Sequence, residues 1–326
     1  MADALVSPVV SGTLYACSAI ATGYSLKKNS NSDNQKYTIP LMGVMGAFVF
    51  ATQMINFTIP GTGSSGHLCG SMLLSAVLGP YAAFLTMIAI LAIQCLVFAD
   101  GGLLALGCNI WNMGFYGCFV GGLVVWNFFT RKGFTKGRIA AASIVGCTIS
   151  LLLGAFSVTL ETLASGITEL PFITFLGFMI PIHLIIGLIE GLITTAVLVF
   201  IFEARPQLLY GYNKREEAKL TASSVAGIIL ACTLVVGGLF SLMASSYPDG
   251  LEWSIFKVTG SDELEVTGGT YDWAAQIQEQ TALLPDYALK GSENAWGTSL
   301  SGVIGSLVVL FICAVLAYFI KQRQNA

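Results

Sequence analysis

Only two histidines occur in the 326 residues, and one of them closes a polar stretch set between strongly apolar ones. That stretch reads Gln53-Met54-Ile55-Asn56-Phe57-Thr58-Ile59-Pro60-Gly61-Thr62-Gly63-Ser64-Ser65-Gly66-His67. A neutral imidazole suits nickel, cobalt, zinc or copper, so His67 is a candidate metal ligand. Gly61, Gly63 and Gly66 allow the backbone to approach a small ligand closely. Asn56, Ser64 and Ser65 are the candidates to support the ligand, with hydroxyls able to orient the ring. The competing reading is a structural histidine, hydrogen-bonded near a membrane helix end.

The other chemistry-bearing groups are fewer. His183 and Glu190 stand seven apart, on one face of an apolar segment. Ionisable groups inside membrane helices default to functional hypotheses. The alternative is an interhelical polar contact, with Gly187 and Gly191 allowing close packing. Asn109 and Asn112 share a helical face in an apolar region, where uncompensated amides are costly. They are expected to hydrogen-bond between helices, with a polar pathway as the second possibility. Asp100 begins a helix and fits an ordinary cap. It is expected on the opposite side of the membrane from His67, which would exclude it from metal contact. Neither a GxxxxGK[ST] phosphate loop nor an HExxH zinc motif is present. The two histidines and scattered carboxylates form no catalytic triad or acid–base pair, so no catalytic residue is assigned. Energy for uphill transport would come from another protein.

These residues need elements to hold them, and composition says which kind. The chain is 55% hydrophobic and 10% charged, with a mean hydropathy of +0.77. A soluble domain is about 25% charged. Apolar runs lie at about residues 9–24, 39–55, 68–78, 81–98, 103–129, 139–163, 172–202, 222–243 and 300–320. Several reach the roughly 20 residues that cross a bilayer as a helix. Thirteen of the 15 Lys and Arg fall in four clusters, at 27–36, 131–138, 205–219 and 321–323. The positive-inside rule places all four in the cytoplasm. The His67 loop is then external, and the turn-prone pair Gly79-Pro80 divides the apolar stretch at 68–98 into two passes. The expectation is an all-α polytopic membrane protein with nine helices, N-terminus outside and C-terminus inside.

The eight cysteines form no CxxC, and nearly all lie in apolar runs, where cysteine acts as a small hydrophobe. Neither a disulfide framework nor a cysteine metal cluster is expected. No basic region precedes the first apolar run, so the start does not read as a cleaved signal peptide. Between the last two helices, residues 244–298 carry nine acidic residues and two lysines. This segment is either a solvated loop or a vestibule that concentrates cations. No internal repeat suggests an inverted-repeat transporter.

Three segments in order carry a resemblance. Residues 53–67, the run Asp-Gly-Gly-Leu-x-Ala-Leu-Gly-Cys-Asn at 100–109, and His-x-x-Ile-Gly-x-x-Glu-Gly-x-Ile-Thr at 183–194 resemble the cobalt/nickel substrate-binding (S) component of energy-coupling factor ABC transporters, the CbiM/NikM type. The match covers about residues 1–205. Tyr247-Pro248-Asp249-Gly250-Leu251-Glu252 is similar to the PDGLE-type, CbiN/NikN-like module. The implied organisation is a seven-helix metal-binding domain at 1–205, a cytoplasmic linker at 206–220, and a two-helix module with an external acidic loop at 221–326. The resemblance implies a component of a prokaryotic cell membrane that captures Co²⁺ or Ni²⁺ outside, as transported substrate, without an organic cofactor. Its partners would be a transmembrane coupling protein and ATPase subunits, in membrane lipid, with no nucleic acid.

In that family a near-planar nitrogen set holds the metal. It comprises the N-terminal amine, nitrogens of a second-position histidine, and the loop histidine that His67 matches. Here the opening is Met1-Ala2-Asp3-Ala4 rather than Met-His. A Met-His pair is therefore expected ahead of Met1. With Met1 itself as the start, its amine and His67 make a weak site. Two other readings stand beside this one: an ion-coupled permease using His183 and Glu190, and a metal-sensing or structural membrane subunit that transports nothing.

Overall fold

The computed structural model describes residues 1–30, 35–214, 217–261, 264–289 and 296–324. Arg215 of the third basic cluster, and Asp262, Glu263, Lys290 and Glu293 of the acidic segment, lie outside the described residues. Helices occupy each of the apolar runs. They are α1 (Pro8–Ser30), α2 (Gln35–Gln53), α3 (Ser71–Leu78), α4 (Pro80–Val97), α5 (Leu106–Thr130), α6 (Lys136–Ser165) and α7 (Phe172–Ala204), followed by α8 (Ala222–Gly238). Within the described part of the acidic segment lie α9 (Gly250–Thr259) and α10 (Thr270–Thr281), and α11 (Trp296–Gln324) follows it. Among the described residues, α4, α5, α6, α7 and α11 are both long and apolar enough to cross a membrane. The apolar parts of α2 and α8, Pro40–Gln53 and Ala222–Gly238, are shorter. The long helices leave large apolar side chains such as Phe156, Leu160, Leu184 and Leu192 exposed. Such a surface belongs against lipid, and the chain is a multi-pass membrane protein.

Local chemistry sets the ends of these helices. Pro80 sits at the first position of α4, where its missing N–H costs nothing. The Thr135 side chain accepts from Arg138 N to cap α6, which stops at Gly166 in the left-handed region. Small residues then set how closely the helices lie. A Cβ on Gly187 or Gly191 would stand 2.8 Å from Thr148 Cα or 2.5 Å from Ile144 Cα, so these glycines let α7 lie directly on α6. A Cβ on Gly302 would come within 2.1 Å of the Gly237 carbonyl, which is how α11 meets α8. Val225, Ile229, Val309 and Cys313 of these two helices share one core with α2, α3 and α4.

The bundle has two chemically different ends. At one end the Gly79-Pro80 turn meets the basic stretches: Tyr210 N donates to Ala76 O at 2.8 Å, and Trp126 Nε1 donates to Tyr210 O at 3.0 Å. The other end carries His67, the chain start, the turn at 98–105 and the acidic segment. From His67, α3 runs to the basic end, α4 runs back, and α5 runs to the basic end again. Asp100 comes after two of these passes and so lies at the His67 end. The expected placement across the membrane is corrected, since an even number of crossings returns the chain to its starting side.

Candidate functional site

Two short strands build the loop. β1 (Phe57–Ile59) and β2 (Ser64–Gly66) pair antiparallel, with Thr58 opposite Ser65. Gly61 and Gly63 take φ of +79° and +74°, a region that strongly favours glycine, and they turn the hairpin around Thr62. Thr62 Oγ1 donates to Ile59 O at 2.8 Å and accepts from Ser64 N at 3.0 Å. His67 comes directly after β2. Just beyond it, Cys69 N and Gly70 N donate to the two Glu190 carboxylate oxygens at 3.0 and 2.9 Å. Gln53 Nε2 donates to Cys69 O at 2.8 Å, fastening the end of α2 to the same point.

The imidazole of His67 is half-buried, with Nδ1 3.1 Å from the Leu68 carbonyl. Only an N–H can pair with a carbonyl, so Nδ1 is assigned a proton, and in the neutral ring Nε2 carries the lone pair. That nitrogen faces Asp249 Oδ2 at 4.0 Å. The chain start lies beside it. Met1 O accepts from Gly102 N at 3.1 Å and from Asn109 Nδ2 at 3.3 Å, and Asp3 Oδ1 accepts from Ala105 N at 2.9 Å. Burial raises the Asp3 carboxyl above its usual range, and those backbone donors pull it partly back.

A cavity of about 110 Å³ has Met1, His67, Asn109, Asn112, His183 and Asp249 in its wall. A larger space of about 630 Å³ shares Met1, His67 and Asp249, and is also lined by Asn56, Gln94, Asp100, Glu252 and Asp286. The structure therefore brings His67, Met1, Asn56, Asn109, Asn112 and His183 to one place. Glu190 is buried beneath it, at the head of α3, and lines a small adjacent void. Asn109 reaches the chain start, whereas Asn112 Nδ2 donates to Glu161 Oε2 at 2.8 Å. His183 Nδ1 pairs with Met179 O at 2.8 Å. His183 and Glu190 thus use different partners. Ser64 and Ser65 do not hydrogen-bond the imidazole. Ser65 Oγ donates to Tyr247 O at 2.7 Å and Ser65 N to Pro248 O at 2.8 Å, while Ser64 Oγ reaches Ser65 O at 3.1 Å. Their expected role in orienting the ring gives way to anchoring the 247–249 segment.

Three carboxylates at or near the site escape a residue-by-residue reading of the chain. Glu161 is findable as an acid inside an apolar run. Asp249 is findable as a capping residue with Glu252 three positions on. Asp3 has no local signal, because its partners lie a hundred residues away. Among the described residues, no three His, Cys, Asp or Glu side chains already form a metal cage. What the arrangement offers is one free imidazole nitrogen, one carboxylate oxygen and the chain start around a small cavity. Imidazole with oxygen or amine donors suits a borderline divalent ion.

A family described as the cobalt uptake substrate-specific transmembrane region, CbiM, matches residues 1–208, and the PDGLE domain matches residues 212–322. A protein of Archaeoglobus fulgidus described as a fused nickel transport protein, NikMN, is 32% identical over 98% of both chains. The cobalt transport protein CbiM of Geobacter sulfurreducens is 29% identical over 70% of this chain and 64% of its own. A crystal structure of a truncated transition metal transporter superposes with a TM-score of 0.54 at 27% identity, covering 62% of this chain and 98% of that one.

Proposed function

The chain belongs to the CbiM family of cobalt uptake substrate-specific transmembrane regions, with a PDGLE module in the same polypeptide, and on that footing we propose that it captures Ni²⁺ or Co²⁺ for uptake. The His67 end of the bundle is the outer face, and the basic end is cytoplasmic. His67 Nε2 is the ligand at the cavity, with nitrogen from the N-terminal region beside it. A coupling membrane protein and a pair of ATPases supply the energy, and the ion leaves inward. The observation that carries this reading is the position of His67: its free nitrogen opens on the small cavity where the chain start is also fastened. The larger space, bordered by Asp100, Glu252 and Asp286, leads to it and favours cations.

The test has two arms. Full-length protein in lipid nanodiscs is titrated with NiCl₂ and CoCl₂ by calorimetry, and His67→Ala should abolish saturable binding. Proteoliposomes holding the complete assembly should accumulate the metal only with ATP inside. Metal binding that survives His67→Ala would reject the site. Accumulation without the ATPases would reject the coupling and favour a stand-alone permease.

A further inference from the structure

Asp249 divides its carboxylate between two tasks. Oδ1 accepts from Leu251 N at 2.8 Å and Glu252 N at 2.9 Å, and Asp249 N donates to Glu252 Oε2 at 3.0 Å. This is a complete capping box at the start of α9. Oδ2 takes no part in the cap and lies 4.0 Å from His67 Nε2, both residues lining the small cavity. That separation is too long for a hydrogen bond. It does match the span between two ligands on opposite sides of one ion, since metal–nitrogen and metal–oxygen bonds are each about 2.0–2.2 Å.

The gap is fixed from both sides. Ser65 N and Ser65 Oγ hold the Pro248 and Tyr247 carbonyls, and Trp253 Nε1 donates to Thr62 O at 3.0 Å. These hydrogen bonds tie the segment bearing Asp249 to the hairpin bearing His67. Gly250 permits the approach, because a Cβ there would stand 2.9 Å from Ile186 Cδ1 and 3.2 Å from His183 Cε1. A divalent ion leaving water for a half-buried cavity needs compensating negative charge, and Asp249 is the carboxylate that faces the imidazole nitrogen.

We propose that Asp249 Oδ2 and His67 Nε2 bind the same divalent ion, so that the C-terminal module contributes a ligand to the metal site. This rests on His67 being a ligand. Asp249→Asn separates the two tasks: asparagine caps a helix as well as aspartate, but it replaces the free oxygen by an amide group. In nanodiscs, the variant should bind Ni²⁺ and Co²⁺ at least about tenfold more weakly, with a shifted visible spectrum of bound Co²⁺ and an unchanged metal-free melting temperature. Thr259→Ala, at the far end of α9 and outside both cavities, should keep the wild-type spectrum. Wild-type affinity and spectrum in Asp249→Asn, with binding lost in His67→Ala, would overturn this inference alone. Binding retained in His67→Ala would overturn the reading beneath it.

Discussion

The buried carboxylate of Glu190 offers the sharpest test of how His67 is held. It is 1% exposed and accepts from both Cys69 N and Gly70 N at the head of the eight-residue α3, two and three positions after His67. Glu190→Ala strands two buried N–H groups at about 1–3 kcal/mol each, or roughly 2–6 kcal/mol together. Glu190→Gln keeps one acceptor oxygen and should lose about half as much. A helix this short has little intrinsic stability, so the loss should appear as local opening around residues 67–71. Cys69 reports it, being buried with its thiol against Ser71 Oγ at 3.2 Å. A loss of about 2 kcal/mol raises an open population about 30-fold, so maleimide labelling of Cys69, read by peptide mass spectrometry, should quicken by at least that factor in Glu190→Ala. Ni²⁺ affinity should fall in parallel. Cys69 labelling within about twofold of wild type would refute the claim that Glu190 holds this junction.

Four further variants carry separate expectations. Gly102→Ala would put a Cβ 1.8 Å from Asp3 Oδ1 and 2.5 Å from Asp3 N; it should dislodge residues 1–5 and weaken Ni²⁺ binding at least about tenfold. Gly12→Ala, which meets nothing within 4 Å, should leave calorimetric affinity unchanged. Ser65→Ala removes the 2.7 Å bond to Tyr247 O and should destabilise docking of the 247–249 segment by about 0.5–1.5 kcal/mol, read as faster proteolysis there. Burial and then the neighbouring Asp100 raise the Asp286 carboxyl above its ordinary range. Its stabilising contribution is therefore present at low pH and lost as pH rises through the raised value. Asp286→Asn, at a φ of +49° that asparagine tolerates, should raise the melting temperature at pH 7, with the gain shrinking as pH falls.

Apolar run length and charge made the helices legible, because a membrane span is a local property of about 20 residues. The hairpin loop was legible as a site for a similar reason: Gly61, Thr62, Gly63 and His67 are neighbours in the chain. What could not be read locally was the partner of each polar group. Ser64 and Ser65 looked like supports for a ring two and three residues away, yet their hydroxyl and amide groups are spent mainly on carbonyls more than 180 residues later. Asn109 and Asn112 looked alike, but one fastens the chain start and the other joins Glu161. Asp100 shows a different limit. Its side of the membrane depends on counting crossings, and one miscounted pass moves a residue the full thickness of the bilayer.

The acidic segment shows how sequence and fold divide the information. Asp249 and Glu252 announce a helix start by spacing alone, and the structure contains that capping box. A cap needs only one carboxylate oxygen here, and asparagine or serine would serve it equally well. The cap therefore accounts for a side-chain oxygen at position 249 without accounting for a charge. The second oxygen lies outside the cap and faces the imidazole across a metal-sized gap. A charged residue at a position where a neutral one would cap as well is what a cation ligand requires. Replacing aspartate by asparagine at 249 tests that requirement while holding the cap constant.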